Sequence, residues 1–371
     1  MACTQALRAL PMTRSDSLSH EPLNQEVAAA ASRFWASVLA EQTELQGLES
    51  VLFMERLNVL LEPCVPGVTV EVAGAGKEGA VEGARLVFTA HGSAERFADV
   101  QALTNHAPPQ LPWRVEAFRQ RMPGGFGMRM DGFDLATHEL LVRVGQIDGR
   151  IALALAFSKP VPMDLQDHAR HMAFILLDHM LGEYDFSVKV GVVEFEADGV
   201  SDDAGFENWE PATLDDSVAR IDTFWRDTLG RTAIYPAEPV RWAALEGRDG
   251  NGDPIMAQVN LSANALVARA DFGWRVQASL PANDKSALQQ AQDFEDAWVG
   301  AATMYQQGIC SHIVLRGGTR VVHCYVTNAD HALEAARRAA EGLPGMEAPV
   351  LEAQHEPAWS DYLTWYVECR D

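Results

Sequence analysis

Two histidines three residues apart on one helix give the sequence its clearest opening for chemistry. His168 and His171 lie in the stretch Asp164–Gly182, where Asp164, His168, His171 and Asp178 share a face by helical arithmetic. His179 and Glu183 stand beside that face. Imidazoles at this spacing can reach one metal ion, and a metal with nearby carboxylates would support hydrolysis. However, Met163, Leu165, Met172, Phe174, Leu176 and Met180 cover much of the remaining surface, so a solvated stripe on an amphipathic helix accounts for the same residues. A zinc site also needs ligands from another element. The expectation is therefore no metal and no cofactor, with His168 and His171 kept as the only metal candidates.

Other motifs dissolve on inspection. Gly74-Ala75-Gly76-Lys77-Glu78-Gly79 has dinucleotide-loop spacing, but Val81–Ala84 leads into a strand-like run where the loop would have to open a helix. Lys77 has no Ser or Thr after it, which excludes a Walker loop. Asp249-Gly250-Asn251-Gly252-Asp253 begins like a calcium loop, but Pro254 and Asn260 occupy the positions that need Gly and a bidentate Glu. A turn between strands is expected there. Gly124-Gly125-Phe126-Gly127-Met128 reads as a mobile loop, and there is neither a Gly-x-Ser-x-Gly elbow nor a His-Glu-x-x-His helix. The balance leans away from an enzyme.

Charge points elsewhere. The 371 residues carry 52 acids against 29 bases, a net charge of −23, with the acids in excess in both halves. A basic face for phosphates is missing, so neither nucleic acid nor an anionic membrane is an expected partner. A basic protein is permitted. The best candidate surface is Asp198–Asp216, which has seven acids and no base. Within it Glu207, Glu210, Asp215 and Asp216 surround Phe206 and Trp209, so apolar anchors sit among carboxylates that can steer a basic partner. An ordinary solvated linker has the same composition. Hydrophobic content of 47% fits globular domains, and no apolar run has the ~18 residues of a membrane helix. Five widely spaced cysteines, with Cys310 and Cys324 on apolar runs, read as reduced thiols in a cytoplasmic protein. No signal peptide is expected.

The elements that must position these residues fall into two halves. The pattern predicts a mobile tail over 1–22, an α+β domain over 23–197, an acidic linker over 198–216 and a second α+β domain over 217–371. In the first half helices are expected at 24–48, 51–61, 93–105 and 163–181, with strands at 68–72, 84–89, 113–118, 138–144, 151–157 and 190–195. In the second half helices are expected at 214–229, 286–305, 328–341 and 357–366. Strands are expected at 241–245, 255–261, 273–280, 312–315, 321–326 and 350–353. Asp148-Gly149 and Gly317-Gly318 signal hairpins. Each half thus follows a strand, helix, hairpin, helix, strand order, close to a ferredoxin-like sandwich. Each also has an extra leading helix, marked by Phe34-Trp35 and Phe224-Trp225. Trp359, Tyr362 and Tyr366 share a helical face, which is expected to dock on the second core or at a partner interface.

From Arg241 onward, the Trp242 strand, the turn to Pro254-Ile255, Val259-Asn260-Leu261 and Glu356–Tyr362 resemble the bacterial domain of unknown function number 695 family. Ile175–Asp178 and Leu181–Tyr184 resemble a segment that accompanies it. Members can occur beside a domain similar to an acidic inhibitor of ribonuclease E activity. The resemblance implies a fold and a neighbourhood, and carries no catalytic residues. Two functions follow: a non-catalytic inhibitor, adaptor or immunity-type regulator that binds a basic nuclease or toxin, or a metal-assisted hydrolase on the His168/His171 helix.

Overall fold

The computed structural model describes residues 23–74, 81, 83–122, 124–196, 206, 211–248, 250 and 252–370. The expected tail (1–22), most of the acidic stretch and most of the glycine loop at 74–79 lie outside the described residues. The fold is α+β, in two compact units, one of Gln25–Thr228 and one built on Leu229–Asp371. No helix among the described residues is long and apolar enough to cross a membrane.

The first unit opens with α1 (Leu23–Ala40), α2 (Gln42–Gln46) and α3 (Ser50–Leu61). Phe53, Leu57 and Leu61 recur every four residues on α3 and are all buried, as a core-facing stripe requires. β1 (Thr69–Ala73) pairs antiparallel with β2 (Arg85–Thr89), and α4 (Phe97–Asn105) then crosses over to β3 (Arg114–Ala117), parallel to β2. Phe34 and Trp35 of α1 meet Phe88 of β2 edge-on at 5.7 and 5.6 Å, so the leading helix is a wall of this core. A short hairpin, β4 (Gly127–Met130) and β5 (Phe133–Ala136), lies where a loop was expected. β6 (Leu140–Ile147) and β7 (Arg150–Phe157) form the expected hairpin, and Asp148 and Gly149 both take positive φ, at 49° and 72°. α5 (Gln166–Leu181) and α6 (Glu183–Lys189) return the chain to β8 (Val190–Phe195), parallel to β7. β9 (Ala212–Thr213) closes the other edge on β6, and α7 (Leu214–Thr223) follows, ending in a π-turn at Phe224–Thr228.

Two features differ from the sequence reading. The strands of the first unit are dealt to three sheets, ordered β1-β2-β3, β4-β5 and β8-β7-β6-β9. Adjacent parallel crossovers built around α4 and α5–α6 replace a single four-stranded ferredoxin-like sheet. Residues 212–228, divided by the sequence reading between the linker and the second domain, belong to the first unit. The cause is local: Ala212 and Thr213 pair with Val142 and Leu141, and Leu214, Ile221, Phe224 and Trp225 are buried. The helix carrying Phe224-Trp225 therefore does not lead the second half.

The second unit begins with the hairpin β10 (Trp242–Arg248) and β11 (Pro254–Asn260). Next come β12 (Trp274–Pro281), α8 (Lys285–Ala302), β13 (Gly308–Arg316), β14 (Thr319–Val326), α9 (Ala329–Glu341), β15 (Val350–His355) and α10 (Ser360–Glu368). The sheet order is β10-β11-β13-β14-β12-β15, all antiparallel. The last four strands, with α8 and α9 as the two crossovers, make the βαββαβ arrangement expected of a ferredoxin-like domain, and β10–β11 extend it. One sheet face, with Val276, Ala278, Leu280, Ile313, Val322 and Cys324, packs on Phe294 and Trp298 of α8 and Ala332 and Ala336 of α9. The other face carries the polar cluster described next.

Candidate functional site

The first unit holds a groove of about 780 Å³. Its polar end is built on Glu183. Gly182, at φ 79°, turns the chain between α5 and α6 and places Glu183 in the first turn of α6. The fully buried Glu183 carboxylate accepts backbone N–H bonds from Ala90 (2.9 Å), Gly92 (3.1 Å) and Arg119 (3.2 Å). It thereby ties the ends of β2 and β3 to the helix pair. Arg119 then spends its donors within the groove. Nη2 and Nε reach Glu71 at 2.9 and 3.0 Å, Nη1 reaches Asp178 at 2.9 Å, and Nη2 lies 2.7 Å from His91 Nδ1. Burial opposes the charge of Arg119, but the Glu71 and Asp178 bonds outweigh it and hold the guanidinium above its ordinary pKa. Burial raises the Asp178 carboxyl, against the pull of Arg119. Phe174, Ile175, Phe186, Val192 and Val193 form the apolar wall, and Phe174 is 40% exposed. Two groove carboxylates, Glu71 and Asp178, thus share the one Arg119 guanidinium.

His171 and Asp178 of the predicted face and the adjacent His179 line this groove, and Asp164 and His168 do not. His168 Nε2 lies 3.1 Å from the Met130 carbonyl, and its Nδ1 is 3.9 Å from Asp131. The two metal candidates thus point to different surroundings. Of the expected interface residues, Glu207, Trp209 and Glu210 lie outside the described residues, and Phe206 is half-buried. Asp215 and Asp216 occupy the first turn of α7, where carboxylates suit the helix N-terminus. The Thr213 hydroxyl donates to Asp216 at 2.9 Å and accepts its N–H at 3.3 Å. Asp215 packs against Gly125, where a Cβ would meet its Oδ2 at 2.7 Å.

A second constellation lies in the second unit, and sequence reasoning missed it. β13 carries a bulge. Cys310 pairs with Cys324, but the next paired residue is His312, opposite His323, which leaves Ser311 extra. The bulge turns Cys310 to the helix-covered core and His312 to the opposite face. There the two imidazoles stack, with centroids 4.0 Å apart and planes at 15°. α10 lays Asp361 across them. Its Oδ2 is 3.1 Å from His312 Nε2, 3.3 Å from His323 Nδ1 and 2.6 Å from Arg275 Nη1. Asp361 Oδ2 is thus ion-paired with Arg275, and neither imidazole nitrogen has a hydrogen-bond partner other than this carboxylate oxygen.

The surroundings are well ordered. The Ser311 hydroxyl donates to the His323 carbonyl at 3.2 Å, so its oxygen accepts from His312 Nδ1 at 3.0 Å. Glu356 accepts the Asp361 N–H at 2.7 Å and the Tyr325 hydroxyl at 2.8 Å, with Arg275 Nε at 3.3 Å. Burial, reinforced by His312 and Arg275 and opposed by Asp361, drives the His323 pKa well below its usual value. Burial also works to raise Asp361, but His312, His323 and Arg275 hold it far below the usual carboxylate range. Among the described residues, these are the three His, Cys, Asp or Glu side chains whose donor atoms converge, all within 4.8 Å of one another. No family model, no curated protein and no solved structure matches the chain, so a functional reading rests on the geometry of its own residues.

Proposed function

We propose that the protein is a non-catalytic cytoplasmic binding protein, an inhibitor, adaptor or immunity-type regulator, that receives a basic segment of a protein partner. The proposal includes membership of the second half in the domain of unknown function number 695 family. The observation that carries it is the groove of the first unit, where Glu71 and Asp178 stand at one end and Phe174, Ile175 and Phe186 at the other. A lysine or arginine flanked by apolar residues matches both ends: its charge meets carboxylates and its neighbours cover exposed aromatic surface. β8 lines the same groove and, among the described residues, pairs with β7 alone, so an extended segment also finds a strand edge there. The net charge of −23 steers such a partner from a distance. The acidic stretch with Phe206, Asp215 and Asp216 belongs to the same reading as a source of carboxylates that steer a basic partner.

The alternative, a metal-assisted hydrolase on His168 and His171, has less support, since His168 is engaged with the Met130 carbonyl. Fluorescence polarisation with a labelled peptide of alternating valine and lysine, against a valine–glutamate control, tests the proposal. Binding of the basic peptide alone is expected. It should weaken about tenfold in Phe174→Ala and in Glu71→Gln, and again as salt rises past the ~8 Å screening length. Equal binding of both peptides, or affinity unchanged by both variants, would overturn it.

A further inference from the structure

We propose that His312, His323 and Asp361 form a binding site for one divalent transition-metal ion of the zinc class, with the remaining coordination left to water. Three observations support it independently of the groove. The donor set, two imidazole nitrogens and one carboxylate oxygen, is one that zinc, cobalt and iron(II) take with open positions. The two spacings to the carboxylate fit, since donors held about 2.0–2.1 Å from a shared ion at tetrahedral angles lie about 3.3 Å apart: Oδ2 stands 3.1 and 3.3 Å from the two nitrogens, and all three donors lie within 4.8 Å of one another. Finally, the two imidazole nitrogens are buried with no hydrogen-bond partner beyond this carboxylate oxygen, a costly state that a cation at their centre relieves.

The outer contacts are those of a metal site. Ser311 Oγ lies 3.0 Å from His312 Nδ1 and holds that edge of the ring, with Nε2 toward Asp361. Glu356 fixes the backbone of Asp361. Such partners orient ligands and are worth about 10–100-fold in affinity. Arg275 is the feature that opposes binding. Its Nη1 lies 2.6 Å from the oxygen the metal needs, while its Nε is already 3.3 Å from Glu356. The ion and the guanidinium therefore compete for Oδ2, and binding moves Arg275 fully to Glu356. The stacked rings must also turn about Cβ–Cγ until both lone pairs meet one point. Asp361 keeps 30% of its side chain exposed, which gives the ion its way in.

The experiment is equilibrium binding of Zn²⁺ and Co²⁺ to the full chain, read by chelator competition and by the visible ligand-field bands of Co²⁺. One ion per chain is expected, with the intensified bands of a low-coordinate site. Asp361→Asn keeps the shape and should lose at least about tenfold in affinity together with the bands. Arg275→Gln removes the competitor and should tighten binding by about tenfold, a gain that a merely structural role does not produce. Comparison of the far-ultraviolet circular dichroism of each variant with the parent checks folding. Should Asp361→Asn fail to fold, Arg275→Gln alone decides. No binding in either parent or Arg275→Gln, or equal Co²⁺ spectra in parent and Asp361→Asn, would overturn the proposal.

Discussion

Glu183 ties two strand ends of the first unit to its helix pair. It is a carboxylate with no exposure, and three backbone N–H groups from two strand ends converge on it. Glu183→Gln keeps the size but turns an amide NH₂ toward donors, so at least one N–H loses its acceptor. The expected loss is about 2–3 kcal/mol, read as a lower urea midpoint at unchanged slope. Sequence inspection placed Glu183 beside the helix face but gave no sign of its burial, because its partners are backbone atoms up to 93 positions away. The groove was half legible for the same reason. His171, Asp178 and His179 share a helix and a period. Glu71 and Arg119 come from other elements and join them only in three dimensions.

The second half was the more readable at the scale of elements, because Gly317-Gly318 and the alternation around it fix β13 and β14 directly. Counting back one residue per strand from that turn sets His312 opposite His323, so this pair was available from the sequence. Asp361 was not, since α10 reaches it from beyond two more elements, and neither was the Ser311 bulge that sorts the two strands between faces. The β4–β5 hairpin was hidden by its glycines, which read as loop. Glycine also gives a paired prediction. A Cβ at Gly308 would lie 2.6 Å from the Ala302 carbonyl oxygen and 2.9 Å from Val326 Cγ1, whereas at Gly300, inside α8, nothing lies within 4 Å. Gly308→Ala should destabilise by about 1–3 kcal/mol through forced backbone shifts. Gly300→Ala should stabilise by about 0.5–1 kcal/mol. Thermal unfolding of the two variants should move in opposite directions.

At the scale of the whole molecule, charge and the two-part division were visible, but the position of the division was not. A run of acids reads as linker wherever it falls. Here its last two members start α7, where they favour the helix N-terminus and Thr213 caps it. Residues 229–371 contain a complete sheet and its own helix-covered core. Expressed alone, this fragment should unfold in one cooperative transition. A fragment begun at Ser217 should add only a protease-sensitive leader, because Ile221, Phe224 and Trp225 leave their burial partners behind. Two transitions from the shorter fragment, or none, would count against an independent unit.

Trp359 has a consequence for how this unit would tolerate change. It sits at φ 56° and ψ 34°, a left-handed conformation unusual for so large a residue, immediately before α10. Its indole is fully buried, stacks on Tyr325 at 3.9 Å and donates to the Phe272 carbonyl at 2.9 Å. The twisted backbone costs about 1–2 kcal/mol, and the anchored ring holds it there. The ring is therefore a compass needle for α10: it sets the heading on which Asp361 arrives two residues later. A glycine at this position would relax the torsion while losing the anchor, two effects that oppose each other in a melting curve. Stability alone would then under-report the damage, and the misplaced helix would announce itself first as a carboxylate that no longer finds its two imidazoles.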